Sequence, residues 1–468
     1  MLFNSDTFLL FFGAFGLLYY MVRSNLRARN ALIVIASYIF YGWWDWRFVP
    51  LLAFTSVVDF AAAILIHDSH NQLHRKKWLA MSIIANLGVL GFFKYCGFFV
   101  DSIVAGLAQL GIHAEPRTWN LILPVGISFY TFQSMSYTID VYRRQIPPTK
   151  DPLQFLAYVC FFPQLLAGPI ERAQNLLPQF AQKRIVTDQK ITEGIWLVIW
   201  GMFEKVVVAD NLAPLVEMVY QDPVDSAPAV MLATVAFALQ IFGDFAGYSD
   251  IARGLAKILG FELMENFRLP YFAPNPREFW RRWHISLSSW LRDYLYISLG
   301  GNKRGRKRTY ANLMVTMFLG GLWHGAGWHF VLWGIWHGLG LVAHRFWRER
   351  HPALSSGLLI RATAHAAALA FILYGWILFR ANSVGDALVL TKALSSLNSP
   401  AWLGSYIANL VVYSAPIILM MAWQARTKDM LAPVRIRPWL RALLEGLLLW
   451  LIVFNWRRDA LPFIYFQF

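Results

Sequence analysis

With 57% hydrophobic and only 15% charged residues among 468, and a mean hydropathy of +0.44, the chain has too little polar surface to cover a water-soluble fold. Its formal net charge of +15 would fit nucleic-acid binding in a soluble protein, but Lys and Arg fall in short clusters between apolar stretches, as membrane topology signals do. Nucleic acid is thereby excluded as a partner, and a lipid bilayer is implied.

None of the apolar stretches alternates with period 2, so helices rather than a barrel are expected to satisfy the backbone. The first stretch, Phe8 to Val22, has no preceding Lys or Arg and no small-residue cleavage site, and is predicted as a retained span. The loops with Arg23, Arg27 and Arg29 and with Arg75, Lys76 and Lys77 are basic and predicted cytoplasmic, which puts the N-terminus outside. Residues 31–66 then supply two spans, turned at the outer interface by Trp43, Trp44, Asp45, Trp46 and Arg47. Residues 78–100 and 121–142 form the next pair, with Pro124 and Gly126 interrupting the second helix near its start. Pro163, Gly168 and Pro169 predict a broken or re-entrant segment over Phe161 to Arg172. Further spans are expected at 195–209, 229–243, 311–328, 329–344, 362–379, 405–423 and 438–455. The fold class is therefore an all-α polytopic membrane protein of roughly ten to thirteen membrane segments. It reads as a single domain over 1–468, without internal repeats or an appended soluble domain. The clusters Lys303, Arg304, Arg306, Lys307, Arg308 and Arg426, Lys428, Arg435, Arg437 mark the cytoplasmic side, and the C-terminus is expected outside.

Several segments can carry chemistry. The run from Glu278 to Tyr296 is predicted as one interfacial helix with Phe279, Trp283, Leu287, Trp290 and Tyr294 on one face and Arg281, His284, Ser288 and Arg292 on the other. It is either a plain interfacial anchor or, through Arg281, Arg282 and Arg292, a site for the phosphates of an anionic donor; Asp293 would support it. In the stretch Phe318 to His337, His324 is flanked by Gly320, Gly321, Gly325 and Gly327, which leave room for close helix approach or a ligand. A neutral imidazole at membrane depth can serve as a general base toward a hydroxyl, the alternative being a histidine satisfied within helix packing. His329 and His337 read as structural or interfacial. No metal site is expected: His324 and His329 are five apart rather than four, and no carboxylate or Cys accompanies them. Asp244 and Asp250 lie among glycines at the end of an apolar span, where they could hold the interfacial arginines or orient a catalytic group. Cys96 and Cys160, in apolar surroundings, are read as buried inert thiols.

The segments FWRRWHISLSSWLRDYLYISLGGN at 279–302, GGLWHGAGW at 320–328, DFAGYSD at 244–250 and LPVGISFYTFQSMSYTIDVYR at 123–143 together resemble the membrane-bound O-acyltransferase family, most closely its bacterial polysaccharide-acetylation branch. The resemblance spans essentially the whole chain. It implies a ring of tilted helices around a tunnel, a catalytic histidine at His324, a second histidine at His284 and an upstream asparagine at Asn302. It also implies acetyl-CoA as donor substrate with no further cofactor, an extracytoplasmic glycan as acceptor, a periplasmic acetyltransferase partner, and residence in a bacterial inner membrane. The C-terminal tail 463–468, FIYFQF, is either an aromatic interfacial anchor or, by similarity to an aromatic motif in the D-alanylation system, an acyl relay in which Tyr465 accepts the acetyl group. A non-catalytic transporter of an acyl donor or lipid-linked sugar is the alternative; the internal inverted symmetry that would favour it is not seen. An enzyme acting on a lipid, sterol or protein is another.

Overall fold

The computed structural model describes residues 1–113, 121–351, 357–456 and 463–464, and all regular structure among them is helical. Among the described residues, five stretches are long and apolar enough to cross a bilayer by length and composition: Leu26–Asp68, Gln72–Gln109, Ala227–Ile258, Leu359–Arg380 and Leu403–Thr427. The other predicted spans form helices that are shorter or more polar, among them Asp6–Val22, Gly305–His324, Trp328–Arg350 and Pro438–Phe454. The helices group into two compact units, Met1–Thr187 with Leu259–Leu263, and Asp188–Ile258 with Met264–Phe468.

In the first unit, Ser5 and Asn25 cap the helices Asp6–Val22 and Leu26–Asp45 by accepting from the backbone N–H of Phe8 and Ala28. The aromatic turn forms where the sequence predicts it, with Asp45 accepting from the guanidinium of Arg47 at 2.9 Å and Trp43 and Trp46 exposed. Gly126, at φ 75°, starts the helix Ile127–Tyr142, and a Cβ there would lie 2.7 Å from the carbonyl oxygen of Leu165. The segment after Cys160 is broken as expected, with a short helix Phe162–Leu165 after Pro152–Cys160. Asp59 pins three helices together: its fully buried carboxylate accepts from the Ser82 hydroxyl at 2.5 Å, the Asn86 amide at 2.9 Å and the Ser134 hydroxyl. Cys160 is buried and Cys96 only half-buried.

In the second unit the long helix Ala227–Ile258 packs on Asp188–Met202 and on a π-helical turn, Phe203–Ala209, that continues it. Glycines permit this. A Cβ on Gly201 would sit 2.5 Å from the carbonyl oxygen of Gly247, and one on Gly254 would sit 2.6 Å from that of Gly194. The single helix expected over 278–296 is not formed. Pro276–Arg282 stops at Trp283, His284 turns the chain, and Ile285–Trp290 restarts it before the π-helical turn Leu291–Tyr296. The break carries His284 off the predicted polar face and into the interior, where it is fully buried.

The glycine crossing makes a direct prediction. Gly201→Val should lower stability by at least about 2 kcal/mol through overpacking, measured by thermal unfolding in detergent. Gly13→Val, at a position with nothing within 4 Å, should leave it unchanged. Equal behaviour of the two variants would contradict the packing.

Candidate active site

His284 has φ 45°, a left-handed backbone that costs a residue with a side chain unless neighbours hold it. Asn266 does so. The Asn266 backbone carbonyl accepts from the N–H of Ile285 at 2.8 Å, and its side-chain oxygen accepts from the N–H and hydroxyl of Ser286 at 3.2 and 2.9 Å. The Ser286 N–H fixes which end of the amide is oxygen. His284 Nδ1 lies 3.2 Å from that oxygen, which can only accept, so Nδ1 carries the proton and Nε2 the lone pair. The Asn266 amide nitrogen donates in turn to Ser249 at 3.0 Å, tying the turn to the helix Ala227–Ile258. Phe245 meets the His284 ring edge-on at 4.6 Å between centroids.

His324 is the last residue of Gly305–His324, which ends because Gly325 is extended. Its imidazole is 3% exposed and sits among Trp323, Trp333 and Phe379 at 5.1, 4.9 and 5.4 Å, with His284 at 6.4 Å, all between centroids. Small residues bring its helix against Trp328–Arg350. A Cβ on Gly321 would be 2.3 Å from the carbonyl oxygen of Phe330, and one on Gly334 would be 2.4 Å from that of Met317.

Between these helices and the turn Leu291–Tyr296 lies a cavity of about 690 Å³. His324, Trp333 and Gly320 line it, as do Arg277, Arg292, Arg345 and Arg348. Trp333 and Arg348 are fifteen residues apart on one helix, so the cavity extends roughly 22 Å along that helix between them. Arg345 is tied to Glu349 at 2.9 Å, and Arg306 of the basic 303–308 cluster reaches the same carboxylate at 2.6 Å. The arginine end therefore adjoins the strongest basic loop of the chain. Glu349, near the end of its helix, is held below the usual carboxylate range by Arg306 first, then by Arg345 and Tyr310. This combination is chemically suited to a polyanion with a reactive end: guanidinium groups for phosphates, and a buried imidazole for moving a proton.

Of the three arginines singled out in the sequence, Arg292 lines the cavity and pairs with Asp293 at 2.6 Å. Arg281 is instead exposed on Glu278 at 2.8 Å, and Arg282 reaches the carbonyl oxygen of Phe272 at 3.4 Å; neither lines the cavity. The broken helix is the reason. Asn302 lies exposed on the cavity lining. Asp244 and Asp250 hold no arginine of the interfacial segment: Asp250 pairs with Arg253 at 2.6 Å, and Asp244 with Lys205 at 2.7 Å. Lys205 also meets Asp210 at 2.7 Å, and Asp244 accepts from the backbone N–H of Ile464 at 2.6 Å. Tyr465 lies outside the described residues. His337 is buried among Phe279, Trp280 and Trp333, and neither of its ring nitrogens meets a hydrogen-bond partner among the described residues. Among the described residues no group of three or more His, Cys, Asp or Glu could hold a metal. Sequence reasoning missed Asn266, Lys205, Arg277, Arg345 and Arg348. The basic end of the span predicted at 329–344 could have signalled Arg345 and Arg348; an isolated asparagine and lysine carry no periodic signal.

The model of the membrane-bound O-acyltransferase family matches residues 140–384, a stretch that contains His284 and His324. A probable alginate O-acetylase of Azotobacter vinelandii is 41% identical over 399 residues, covering 85% of this chain and 78% of that protein. One from Pseudomonas putida is 37% identical across 100% of both chains. A peptidoglycan O-acetyltransferase of Helicobacter pylori is 34% identical over 434 residues, covering 85% of this chain and 80% of that one. A multi-pass helical chain with buried histidines inside the matched region, similar along most of its length to such enzymes, belongs to the membrane-bound O-acyltransferase family.

Proposed function

We propose that this O-acyltransferase works in the bacterial inner membrane, taking an acetyl group from cytoplasmic acetyl-CoA and passing it toward an extracytoplasmic polysaccharide. Membership in an acyltransferase family sets aside the non-catalytic transporter. The observation that carries the finer reading is the cavity, with His324 on its wall and Arg277, Arg292, Arg345 and Arg348 along it. Its arginine end adjoins the basic cluster at 303–308, and basic loops face the cytoplasm, where acetyl-CoA is found. Alginate and peptidoglycan appear in the names of the relatives, which favours a glycan as the final acceptor.

In this reading the arginines bind the donor's phosphates and the thioester lies toward His324. The His324 imidazole takes the proton of the acceptor hydroxyl as its oxygen attacks the thioester carbonyl. The carbon–sulfur bond breaks, the thiolate leaves and recovers the proton from the imidazolium, and an ester is formed. His284, with Nδ1 committed to Asn266, keeps Nε2 as a second basic nitrogen within the same aromatic shell. The first acceptor is the phenol of Tyr465, and the ester then passes to a periplasmic acetyltransferase partner. Dividing the transfer this way replaces one reaction across the membrane with two at its faces.

His324→Ala should reduce acetyl transfer and thioester hydrolysis by about 10²- to 10⁴-fold without changing the unfolding temperature; retained activity would overturn the assignment. Labelled donor should leave an acetyl group on the C-terminal peptide, and Tyr465→Phe should abolish it. An unlabelled peptide together with full activity in Tyr465→Phe would end the relay. Arg277→Ala and Arg348→Ala should each raise KM for acetyl-CoA about ten-fold with little change in kcat, and the penalty should shrink at high salt. An unchanged KM in both would remove the arginines from donor binding.

A further inference from the structure

At the π-helical turn Phe203–Ala209 and the facing helix Ala227–Ile258, three charges are buried together: Lys205, Asp210 and Asp244 are 2, 6 and 3% exposed. The Lys205 ammonium meets Asp210 and Asp244 Oδ1 at 2.7 Å each. Asp244 Oδ2 accepts a further hydrogen bond, from the backbone N–H of Ile464, at 2.6 Å. An ionised acceptor makes this a stronger bond than one between neutral groups.

The residue before it fills a slot on the same helix. Phe463 is 0% exposed, with its ring 4.7 Å from Tyr248 and 5.4 Å from Phe245 between centroids. Phe245 also supports His284 edge-on. Phe463 and the buried His284 thus both pack on one aromatic side chain. π-Helical turns are uncommon and occur often at functional sites, and this one supplies the lysine.

We propose that Lys205 and Asp244 form a peptide-binding socket whose ligand is the chain's own C-terminal segment, gripped at the Phe463 ring and the Ile464 amide. Lys205 fixes the Asp244 carboxylate, Asp244 holds the backbone, and Phe245 and Tyr248 select an aromatic side chain. Asp244 is a positioning residue: it keeps the tail against the wall that supports His284. The socket stands on these contacts alone and does not require that Tyr465 receive an acyl group.

Amide hydrogen exchange on the full-length chain in detergent reads the grip directly, whereas activity would read the transfer. The Ile464 amide should exchange at least about ten-fold faster in Asp244→Leu than in the parent, consistent with loss of a hydrogen bond to a charged group. Asp244→Asn, which keeps an acceptor oxygen, should fall between the two. Phe463→Ala leaves the buried charges untouched and should also speed exchange about ten-fold; it carries the test should Asp244→Leu fail to fold. Helix amides of the first unit, within Ile127–Tyr142, serve as the control and should not change. An Ile464 amide that exchanges in the parent as fast as in Asp244→Leu or Phe463→Ala would overturn the socket.

Discussion

At Gly321 and Gly334 two helices pass so closely that a Cβ on either would meet the partner's backbone carbonyl at 2.3 or 2.4 Å. Close approach of this kind replaces the hydrophobic drive that is missing between helices in lipid, because dispersion contacts gain when backbones meet. The cavity depends on it. The crossing sets His324, the end of one helix, against Trp333 of the next, and leaves the space lined by both as the cavity. The Gly201 and Gly247 crossing does the same for the wall behind His284, bringing the π-helical turn with Lys205 against the helix that bears Asp244 and Phe245.

Polar groups buried in such surroundings persist where each has a partner. Asn266 shows how one side chain discharges several obligations: it satisfies the Ser286 amide and hydroxyl, meets Ser249, and fixes the tautomer of His284. Lys205 does the same for two carboxylates and, through Asp244, for the C-terminal segment. In the first unit Asp59 gathers hydroxyl and amide donors from two other helices. These networks specify which helices meet, something apolar surfaces alone would leave degenerate.

Much of the helical layout was legible in apolar run lengths and basic loops, including the aromatic turn at Trp43–Trp46 and the break after Cys160. His324 stood out because a histidine among glycines in an apolar stretch is costly without a purpose. The segment 278–296 was misread because its periodicity fits an unbroken amphipathic helix, while the left-handed turn at His284 is imposed by Asn266 from another part of the chain. The same break removes Arg281 and Arg282 from the cavity and leaves Arg292 in it. Arg277, Arg345 and Arg348 join it only through tertiary packing. Lys205 lies five residues from Asp210, but its other carboxylate, Asp244, is 39 residues away, and the Ser249 and His284 partners of Asn266 are 17 and 18 residues away.

If His324 and the arginines share one donor molecule, a structure of the chain bound to a non-hydrolysable thioether analogue of acetyl-CoA should show the analogue's carbonyl within about 3 to 4 Å of the His324 imidazole and its phosphates against Arg277 and Arg348. An analogue bound with its acyl end remote from His324, or outside this cavity, would contradict that sharing.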